Sequence, residues 1–429
     1  MSDRSGVLTA GAGVRLLGQP TDLASHLAAL GPAPLPSGDG RRWRAAFARA
    51  MESSGLAGRG GSGFPAAVKL GVAAADGSGG TVLINGMEGE PASDKDLLLL
   101  LRSPHLVLDG AQLVAAAIGA RRVAVCVPAG RDRVAAAVHH ALQERLAARC
   151  APVSEELVRP PDRYVAGEES ALVRWVDSGE SLPSFRPDKS IPLRIGRRGA
   201  LVHNAETLAH VAIIARTGPQ EFRSHGLPED PGTSLVTISG AVEHPGVVEV
   251  DRGTPLLDIA RRAVPRGEPQ ALLVGGYGGA WVAPRHFTTP YASIPLRAIG
   301  ATAGVGVVVV LGQSACGISE TARIVAYLAG QSAGQCGPCV YGLPAVAGDL
   351  ARLARGEADP TLGARLDRRL RQVDGRGACR HPDGAVNVVR SALQVFAADV
   401  AAHAAGHPCP HWKQPSQLRF PPGPGGGRS

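Results

Sequence analysis

Three cysteines are spaced so that they could hold a metal or carry out redox chemistry. Cys336 and Cys339 form a Cys-x-x-Cys pair, and Cys379 follows in a separate glycine-rich stretch. Such a set can bind zinc, form a redox dithiol or hold an iron–sulfur cluster. The internal Gly-Pro is shared with thioredoxin motifs, but those lie in a βαβ unit, whereas helical sequence surrounds this pair. Spacing alone leaves zinc and iron–sulfur chemistry open.

A glycine-rich loop at residues 58–63 could bind phosphate. Its glycines would let a ligand approach the backbone N–H groups, and helix-compatible residues begin at Ala66, so the loop leads into a helix N-terminus. The spacing matches neither the P-loop nor G-x-G-x-x-G. The alternative is a flexible turn. Lys69 favours a ligand, because a chain with only four lysines places one here, where a compact positive charge would be useful.

Asn85, Glu88 and Glu90 follow a predicted buried strand at residues 81–85. Side chains at the carboxyl ends of strands line the ligand crevice of open α/β sheets. Asn85 could hydrogen-bond a ring edge or a sugar hydroxyl, and the two carboxylates could contact ribose hydroxyls or an amide. The alternative is a solvated acidic turn.

Two more polar clusters begin predicted helices. Gly167 is followed by Glu168 and Glu169, and two carboxylates at a helix N-terminus could simply complement the helix dipole. His203 and Asn204 precede the next helix, where the amide could reach a cofactor phosphate or only start the helix.

The surrounding pattern predicts several domains. Strand-like and helix-like stretches alternate over 46–225, which predicts an α/β sheet with covering helices. Shorter strands over 226–315 predict a small β-grasp-like module, and 316–405 is helical in pattern. The segment 1–45 carries no clear element. The Gly- and Pro-rich tail 406–429 is expected to be disordered.

Composition excludes several classes of protein. The net charge is +8, but arginines are spread along the chain without a dense basic block, which argues against nucleic-acid binding. No apolar run is long enough to span a bilayer, and the N-terminus lacks a signal-peptide pattern, so we expect a cytoplasmic protein. Seven cysteines, an odd number, argue against a disulfide framework.

Together the motifs resemble those of the NADH-binding flavoprotein subunit of respiratory complex I. Related diaphorase subunits of NAD-linked hydrogenases and formate dehydrogenases share them. The order agrees from about residue 50 to 400. The matching stretches are 54–65 (family SGLRGRGGAGFP), 85–95 (NADEGEPGTFK), 164–172 (YICGEETAL), 202–208 (VNNVETL), and the two halves of the cluster site at 332–339 and 378–385.

The resemblance implies a Rossmann-like α/β domain that binds FMN and NADH, then a β-grasp module, then a C-terminal helical bundle carrying an iron–sulfur site. Hydride would pass from NADH to the flavin, and single electrons would leave through the cluster. The residues expected around FMN are Gly58, Arg59, Gly60, Lys69, Asn85, Glu88, Gly167, Glu168, His203 and Asn204. Those expected to face NADH are Phe64, Glu90, Glu169 and Arg186, with Glu90 and Glu169 as the catalytic carboxylates.

Several positions depart from the family pattern. Met87 replaces an aspartate in the flavin loop, and Val72 stands where a second NADH-stacking phenylalanine is usual. Arg186 and Lys189 replace a lysine and a phenylalanine of the nucleotide pocket. The chain is therefore expected to be a divergent member, in which the departures fall more on the NADH-contacting positions than on the FMN-contacting ones.

The cluster site keeps three of its four cysteines: Cys336, Cys339 and Cys379, while the fourth position is Ala333. We expect an iron–sulfur cluster here, either [4Fe-4S] with one non-cysteine ligand or [3Fe-4S]. His381, two residues past Cys379, is the candidate for the non-cysteine ligand. Cys316 is a poor substitute by sequence distance, and Cys409 could reach the site only if the tail folds over it. A lost cluster, or zinc held by the three cysteines and His381, are the alternatives.

Three functions are compatible with these observations. The first is an NADH:acceptor oxidoreductase that feeds a ferredoxin-like or dinuclear iron–sulfur partner, or a quinone-linked complex. The second is the same module reduced by a partner instead of NADH, and the third is a degenerate scaffold. Because the chain has no recognisable quinone or dinuclear-cluster segment, we expect other subunits of a redox complex as partners, through which it would reach the inner face of a membrane. The positive charge favours an acidic acceptor.

Overall fold

The computed structural model describes residues 6–7, 16–186 and 191–421, with residues 6–7 described for the backbone only. Lys189 lies outside the described residues. The N-terminal half contains the strands of a mostly parallel sheet and the helices that cover it. In chain order its elements are β1 Gly6–Val7, α1 Leu23–Leu30, α2 Gly40–Ser54, α3 Ala66–Asp76, β2 Thr81–Asn85, α4 Lys95–Arg102, α5 Pro104–Ile118, β3 Arg122–Cys126, α6 Asp132–Ala147, β4 Ser154–Val158, α7 Glu169–Ser178, β5 Leu193–Ile195, β6 Arg198–Asn204, α8 Ala205–Thr217 and α9 Pro219–Arg223.

The first sheet has the strand order β4-β3-β2-β6-β5 and is parallel except at the edge strand β5. Its central strand β2 is apolar at successive positions because both faces of the sheet are covered by helices. Val82 and Ile84 pack into the larger core on one face, and Leu83 packs into a smaller core on the other. The predicted α/β fold is confirmed. Asn85, Cys126 and Asn204 end neighbouring strands at the same edge.

From residue 16 onward the N-terminal segment packs into this first unit, so the predicted boundary at residue 45 is wrong. It falls inside α2, which continues to Ser54. Leu16 and Leu17 are buried in the same core as Phe47 and Met51 of α2. The Gly/Pro content hid these elements, because apolar burial rather than local propensity holds them in place.

A second sheet forms the next unit, with the order β1-β10-β9-β13-β11-β12. A hairpin of β9 and β10 pairs with β13, which runs parallel to β9, and a short helix packs beside them, as in a β-grasp. The elements are β7 Gly226–Leu227, β8 Asp230–Pro231, β9 Thr233–Gly240, β10 Gly246–Asp251, α10 Leu256–Arg261, β11 Ala271–Val274, β12 Ala280–Val282, α11 Ser293–Ala298 and β13 Val307–Leu311.

The C-terminal unit is helical, as predicted. Its apolar core is continuous with the second sheet, because Trp281 of β12 packs among the C-terminal helices. The Trp281 indole also donates a 3.0 Å hydrogen bond to Thr321. A π-helical turn, Pro338–Gly342, carries Cys339. The helices are α12 Gly317–Gly330, α13 Leu343–Ala354, α14 Leu362–Val373, α15 His381–Val395 and α16 Ala397–Ala404.

The expectation of a disordered tail from residue 406 is wrong for its described part, 406–421. Glu320 of α12 accepts hydrogen bonds from the backbone N–H of Gln417 at 2.9 Å and from Ser416 at 2.6 Å. Leu418 is buried, and Arg419 forms a 2.6 Å ion pair with Asp94. These side-chain contacts order a segment whose composition is typical of disorder.

Within the described residues, no single helix combines the length and apolar composition of a bilayer span. Two consecutive helix pairs meet the criterion only when joined across sharp bends, of 97° between α4 and α5 and 88° between α15 and α16.

Candidate functional site

A cavity of about 730 Å³ opens at the carboxyl edge of the first sheet. It forms there because β2 and β6 are adjacent and parallel, which brings the glycine loop, the start of α7 and the start of α8 together. Most of the predicted ligand-contacting residues line it. They are Gly58, Gly60, Phe64, Lys69, Asn85, Gly167, Glu168, Glu169, Arg186, His203 and Asn204.

The glycine loop is closed on itself before it enters α3. The Gly58 N–H donates to the Phe64 carbonyl at 2.9 Å, and Gly61 has a φ of +106°. A Cβ on Gly60 would lie 3.2 Å from the Cβ of Asn204, so a side chain there would crowd the neighbouring wall. Helix α3 has no side-chain cap. The loop is therefore a shaped cradle rather than a flexible turn. The first N–H of α3, that of Ala66, donates to the Leu56 carbonyl at 2.9 Å.

Lys69 holds a positive charge in the cavity wall. Its ammonium group pairs with Glu169 and donates a 2.6 Å hydrogen bond to the carbonyl of Val202. Burial, together with the Lys69 charge, lowers the pKa of His203 to about 3. His203 is therefore a neutral imidazole at physiological pH, and Lys69 is the cationic member of this pair.

Two predicted ligand contacts serve as helix caps, the alternative that the sequence left open. The Glu168 carboxylate accepts 3.0 Å hydrogen bonds from the N–H groups of Ser170 and Ala171 at the start of α7. The Asn204 side-chain oxygen accepts from the Glu206 N–H at 3.0 Å. Glu169 differs, because its carboxylate is partly exposed toward the cavity.

Asn85 joins two walls of the cavity. Its amide nitrogen donates to the carbonyl of Gly167 at 2.9 Å, and its amide oxygen accepts from the Met87 N–H at 3.1 Å. The side chain therefore holds the two loops in register beside the cavity that it lines.

Glu88 and Glu90 line a smaller adjoining cavity of about 320 Å³ instead of the larger one. Glu88 caps α4, accepting from the N–H groups of Asp96 and Leu97 at 3.1 and 3.0 Å. Burial, with the Asp96 charge, raises the pKa of Glu88 to about 7. Glu88 was expected to contact the flavin, but most of its hydrogen-bonding capacity is used in capping α4.

Glu90 is buried between units. It accepts hydrogen bonds from the backbone N–H of Tyr277 at 2.8 Å and from the hydroxyl of Tyr164 at 3.2 Å. Burial raises its pKa to about 7. Through these contacts Glu90 connects the first unit to the second. It does not line the larger cavity, where it was expected to face NADH.

Arg59 points away from the larger cavity, contrary to expectation. Its guanidinium is buried against the second unit and donates to the carbonyl of Pro231 at 3.2 Å. Its backbone N–H donates to Thr207 at 2.9 Å. Only the backbone of Arg59 is therefore placed to support the glycine loop.

Phe185 is a cavity residue that sequence reasoning missed. It lines the cavity with Phe64, and its side chain is 71% exposed. Its exposure and its place in the cavity wall depend on the tertiary structure, so the sequence alone offered no signal for it. Phe185 supplies a second aromatic face to the cavity, beside that of Phe64.

The cysteines lie beside the cavity. Cys379 lines both cavities. Burial raises the pKa of Cys339 to about 12, and the neighbouring Cys336 and Cys379 thiols add to this effect. His381 donates from Nε2 to the Leu328 carbonyl at 2.8 Å, so its buried Nδ1, which has no hydrogen-bond partner, carries a lone pair. Three neighbouring thiols beside the cavity fit an iron–sulfur cluster.

Two family models match the chain. Residues 51–213 match the Nuo51 FMN-binding domain, and residues 312–403 match the iron–sulfur binding region of NADH-ubiquinone oxidoreductase-F. Among curated proteins, an F subunit of NADH-quinone oxidoreductase in Rhizobium meliloti is 28% identical over 374 residues, which cover 84% of this chain and 89% of that protein. The corresponding F subunit in Mycobacterium tuberculosis is 28% identical over 387 residues, with 86% of each chain covered.

Solved structures of NAD⁺-reducing [NiFe]-hydrogenase share the fold. The air-oxidised form matches with a TM-score of 0.77 and 30% identity, over 84% of this chain and 63% of that chain. The H₂-reduced form matches with a TM-score of 0.80 and 27% identity, over 95% and 68%. The chain thus spans about two thirds of the length of these hydrogenase chains.

Proposed function

Because the chain belongs to the family of the F subunits of NADH-quinone oxidoreductase, we propose that it oxidises NADH at a bound FMN and delivers electrons through an iron–sulfur cluster to a partner protein. The family models identify an FMN-binding domain and an iron–sulfur region. The observation that carries the proposal is the position of Cys379, which lies in the wall of the same cavity as the glycine loop. Electron transfer from one site to the other needs this proximity.

We assign FMN to the larger cavity. The glycine loop would hold the phosphate, and Lys69 with Asn85 would border the flavin ring. The cavity volume of about 730 Å³ is within the range of cofactor sites. FMN supplies hydride acceptance and the change from two-electron to one-electron chemistry, whereas the protein supplies position and charge.

We assign NADH to the outer part of the same cavity. Phe64 and Phe185 offer aromatic faces for the nicotinamide and adenine rings. Glu169 offers a carboxylate to a ribose hydroxyl and would repel a 2′-phosphate, which favours NADH over NADPH. Arg186 lines the same wall, and its charge would reduce this preference.

We assign the cluster to Cys336, Cys339 and Cys379, with His381 Nδ1 as the non-cysteine ligand of a [4Fe-4S] form. The lone pair of Nδ1 supports this choice, because it is buried without a hydrogen-bond partner. An imidazole ligand in place of a thiolate raises the reduction potential of a cluster, as in Rieske centres. A [3Fe-4S] form would leave His381 unbound.

The relatives are subunits of larger enzymes by name, and we propose the same for this chain. A ferredoxin-like or dinuclear iron–sulfur protein is the acceptor that its net charge of +8 favours. The location would be cytoplasmic, at a membrane only through partners. Turnover with an acidic ferredoxin should fall steeply between about 0.05 and 0.5 M salt. Salt-insensitive turnover would argue against this class of acceptor.

The visible spectrum of anaerobically purified protein, with and without NADH, tests the proposed function. Flavin absorbance should bleach on addition of NADH, and heat should release a cofactor that co-elutes with FMN. A flavin spectrum that millimolar NADH leaves unchanged would favour the module reduced by a partner. A protein with neither flavin nor iron after reconstitution would be the scaffold.

A further inference from the structure

Two cysteines and a histidine converge at a place separate from both cavities. Cys316 precedes α12, His403 lies near the end of α16, and Cys409 follows in the tail. Their two sulfurs and the His403 nitrogen all lie within 4.8 Å of one another. Cys316 Sγ is 3.7 Å from His403 Nε2. Nothing in the flavin or cluster chemistry uses these three residues.

The spacing fits a tetrahedral zinc ion. With Zn–S bonds of about 2.3 Å and Zn–N bonds of about 2.0 Å, a tetrahedral angle separates sulfur from nitrogen by about 3.5 Å and sulfur from sulfur by about 3.8 Å. The observed 3.7 Å from Cys316 Sγ to His403 Nε2 requires little adjustment.

The imidazole is already oriented for a metal. His403 Nδ1 lies 3.1 Å from the carbonyl of Leu353, which can only accept, so the proton is on Nδ1 and the lone pair is on Nε2. Metal-binding histidines are held in this way by a carbonyl or carboxylate. Nε2 accepts from the Cys409 N–H at 3.0 Å, a bond that coordination would replace. His403 is fully buried.

Each sulfur also accepts a backbone hydrogen bond. The Ser319 N–H lies 3.4 Å from Cys316 Sγ at the start of α12, and the His411 N–H bonds to Cys409 Sγ. Such donors stabilise a thiolate, the form in which cysteine binds zinc. The two thiols come from segments far apart in sequence, so an ion between them would crosslink the tail to the helical unit.

We propose that Cys316, His403 and Cys409 bind a zinc ion that fastens the C-terminal tail to α12 and α16. Three protein ligands leave a fourth position, which a water fills. The ion would add a crosslink to the Glu320 and Arg419 contacts that order the tail, since metal coordination contributes directly to folding. This site does not depend on the proposed function.

Zinc and iron, measured separately by mass spectrometry on full-length protein from zinc-supplemented cells, test the site. We expect about one zinc per chain, lost in Cys316→Ser, Cys409→Ser and His403→Gln. The matched controls are Cys150→Ser, which should keep both metals, and Cys336→Ser, which should lose iron and keep zinc. X-ray absorption should show sulfur at about 2.3 Å and nitrogen at about 2.0 Å from the zinc.

Limited trypsin digestion of the unmutated protein covers the case in which variants fail to fold. Treatment with 1,10-phenanthroline should speed cleavage after Arg419 about tenfold, whereas the non-chelating 1,7-isomer should not. Cleavage after Arg262, in the second unit, should stay constant. Zinc below about 0.2 atoms per chain, zinc retained in Cys409→Ser, or a Cys316–Cys409 disulfide in the purified protein would overturn the assignment.

Discussion

The Glu90 carboxylate accepts a 2.8 Å hydrogen bond from the backbone N–H of Tyr277, 187 residues away in the chain. The contact joins the edge of the first sheet to the turn after β11. It is made by a carboxyl group whose burial raises its pKa to about 7. The junction between the two units is therefore sensitive to pH in the physiological range.

Glu90→Gln should change the pH dependence of stability. Because the folded pKa of Glu90 lies above the ordinary value of 4.5, its contribution is fully present below about pH 4.5 and is lost as pH rises through about 7. Glutamine cannot ionise, so the variant should gain stability relative to the unmutated chain between about pH 5 and 8, by up to about 3 kcal/mol. Urea denaturation at each pH measures this. The exposed Glu243→Gln is the control, and a Glu90→Gln profile parallel to that of the unmutated chain would contradict the prediction.

Lys69→Met should reduce FMN occupancy about tenfold, because it removes the ammonium group that pairs with Glu169 in the cavity wall. Lys69→Arg should retain part of the binding, since the charge remains but the planar guanidinium cannot match the compact ammonium. Flavin content by absorbance after desalting is the measurement. Lys413→Met, in the exposed tail, is the control. Full flavin occupancy in Lys69→Met would show that its charge does not hold FMN.

Phe185→Ala should raise the KM for NADH roughly tenfold and leave FMN content unchanged, because it removes an aromatic face from the outer part of the cavity. Phe64→Ala should act in the same direction. Leu146→Ala is the control, since Leu146 on α6 is also 71% exposed but lies outside the cavity. A KM that does not change in Phe185→Ala would exclude stacking by this ring.

His381→Ala should convert the cluster from about four irons to about three, with the low-temperature EPR signal of an oxidised [3Fe-4S] centre. Cys379→Ser should lose most of the iron. The exposed His244→Ala is the control. If His381→Ala keeps its iron content and EPR spectrum, the fourth ligand is another group. Stoichiometric zinc at the three cysteines, without iron, would contradict an iron–sulfur cluster.

The positions of several helices and strands could be predicted from the sequence, because secondary structure depends on short-range patterns. The strand at Thr81–Asn85 and the strand at Ala271–Val274 appear where the apolar runs predicted them. The helix that follows the glycine loop also begins at Ala66, as expected. Apolar periodicity and glycine placement are properties of neighbouring residues, so they predict secondary structure without knowledge of the whole fold.

The order of the motifs, read with the family resemblance, also indicated one cavity at the carboxyl edge of the first sheet. Parallel pairing of β2 with β6 puts Asn85 beside Asn204, which the α/β pattern implies. The fold class and most of the cavity wall could therefore be predicted without a structure.

The role of each polar side chain, in contrast, depends on packing between distant segments. Glu88 caps the N-terminus of α4, and Glu90 accepts a hydrogen bond from the backbone of Tyr277. The Arg59 guanidinium donates to the Pro231 carbonyl in the second unit. The same packing made Phe185 a cavity residue and brought Cys409 to Cys316 and His403. A buried carboxylate or thiol takes whichever donor or ligand the fold brings near, because leaving it unpaired costs more than any local preference.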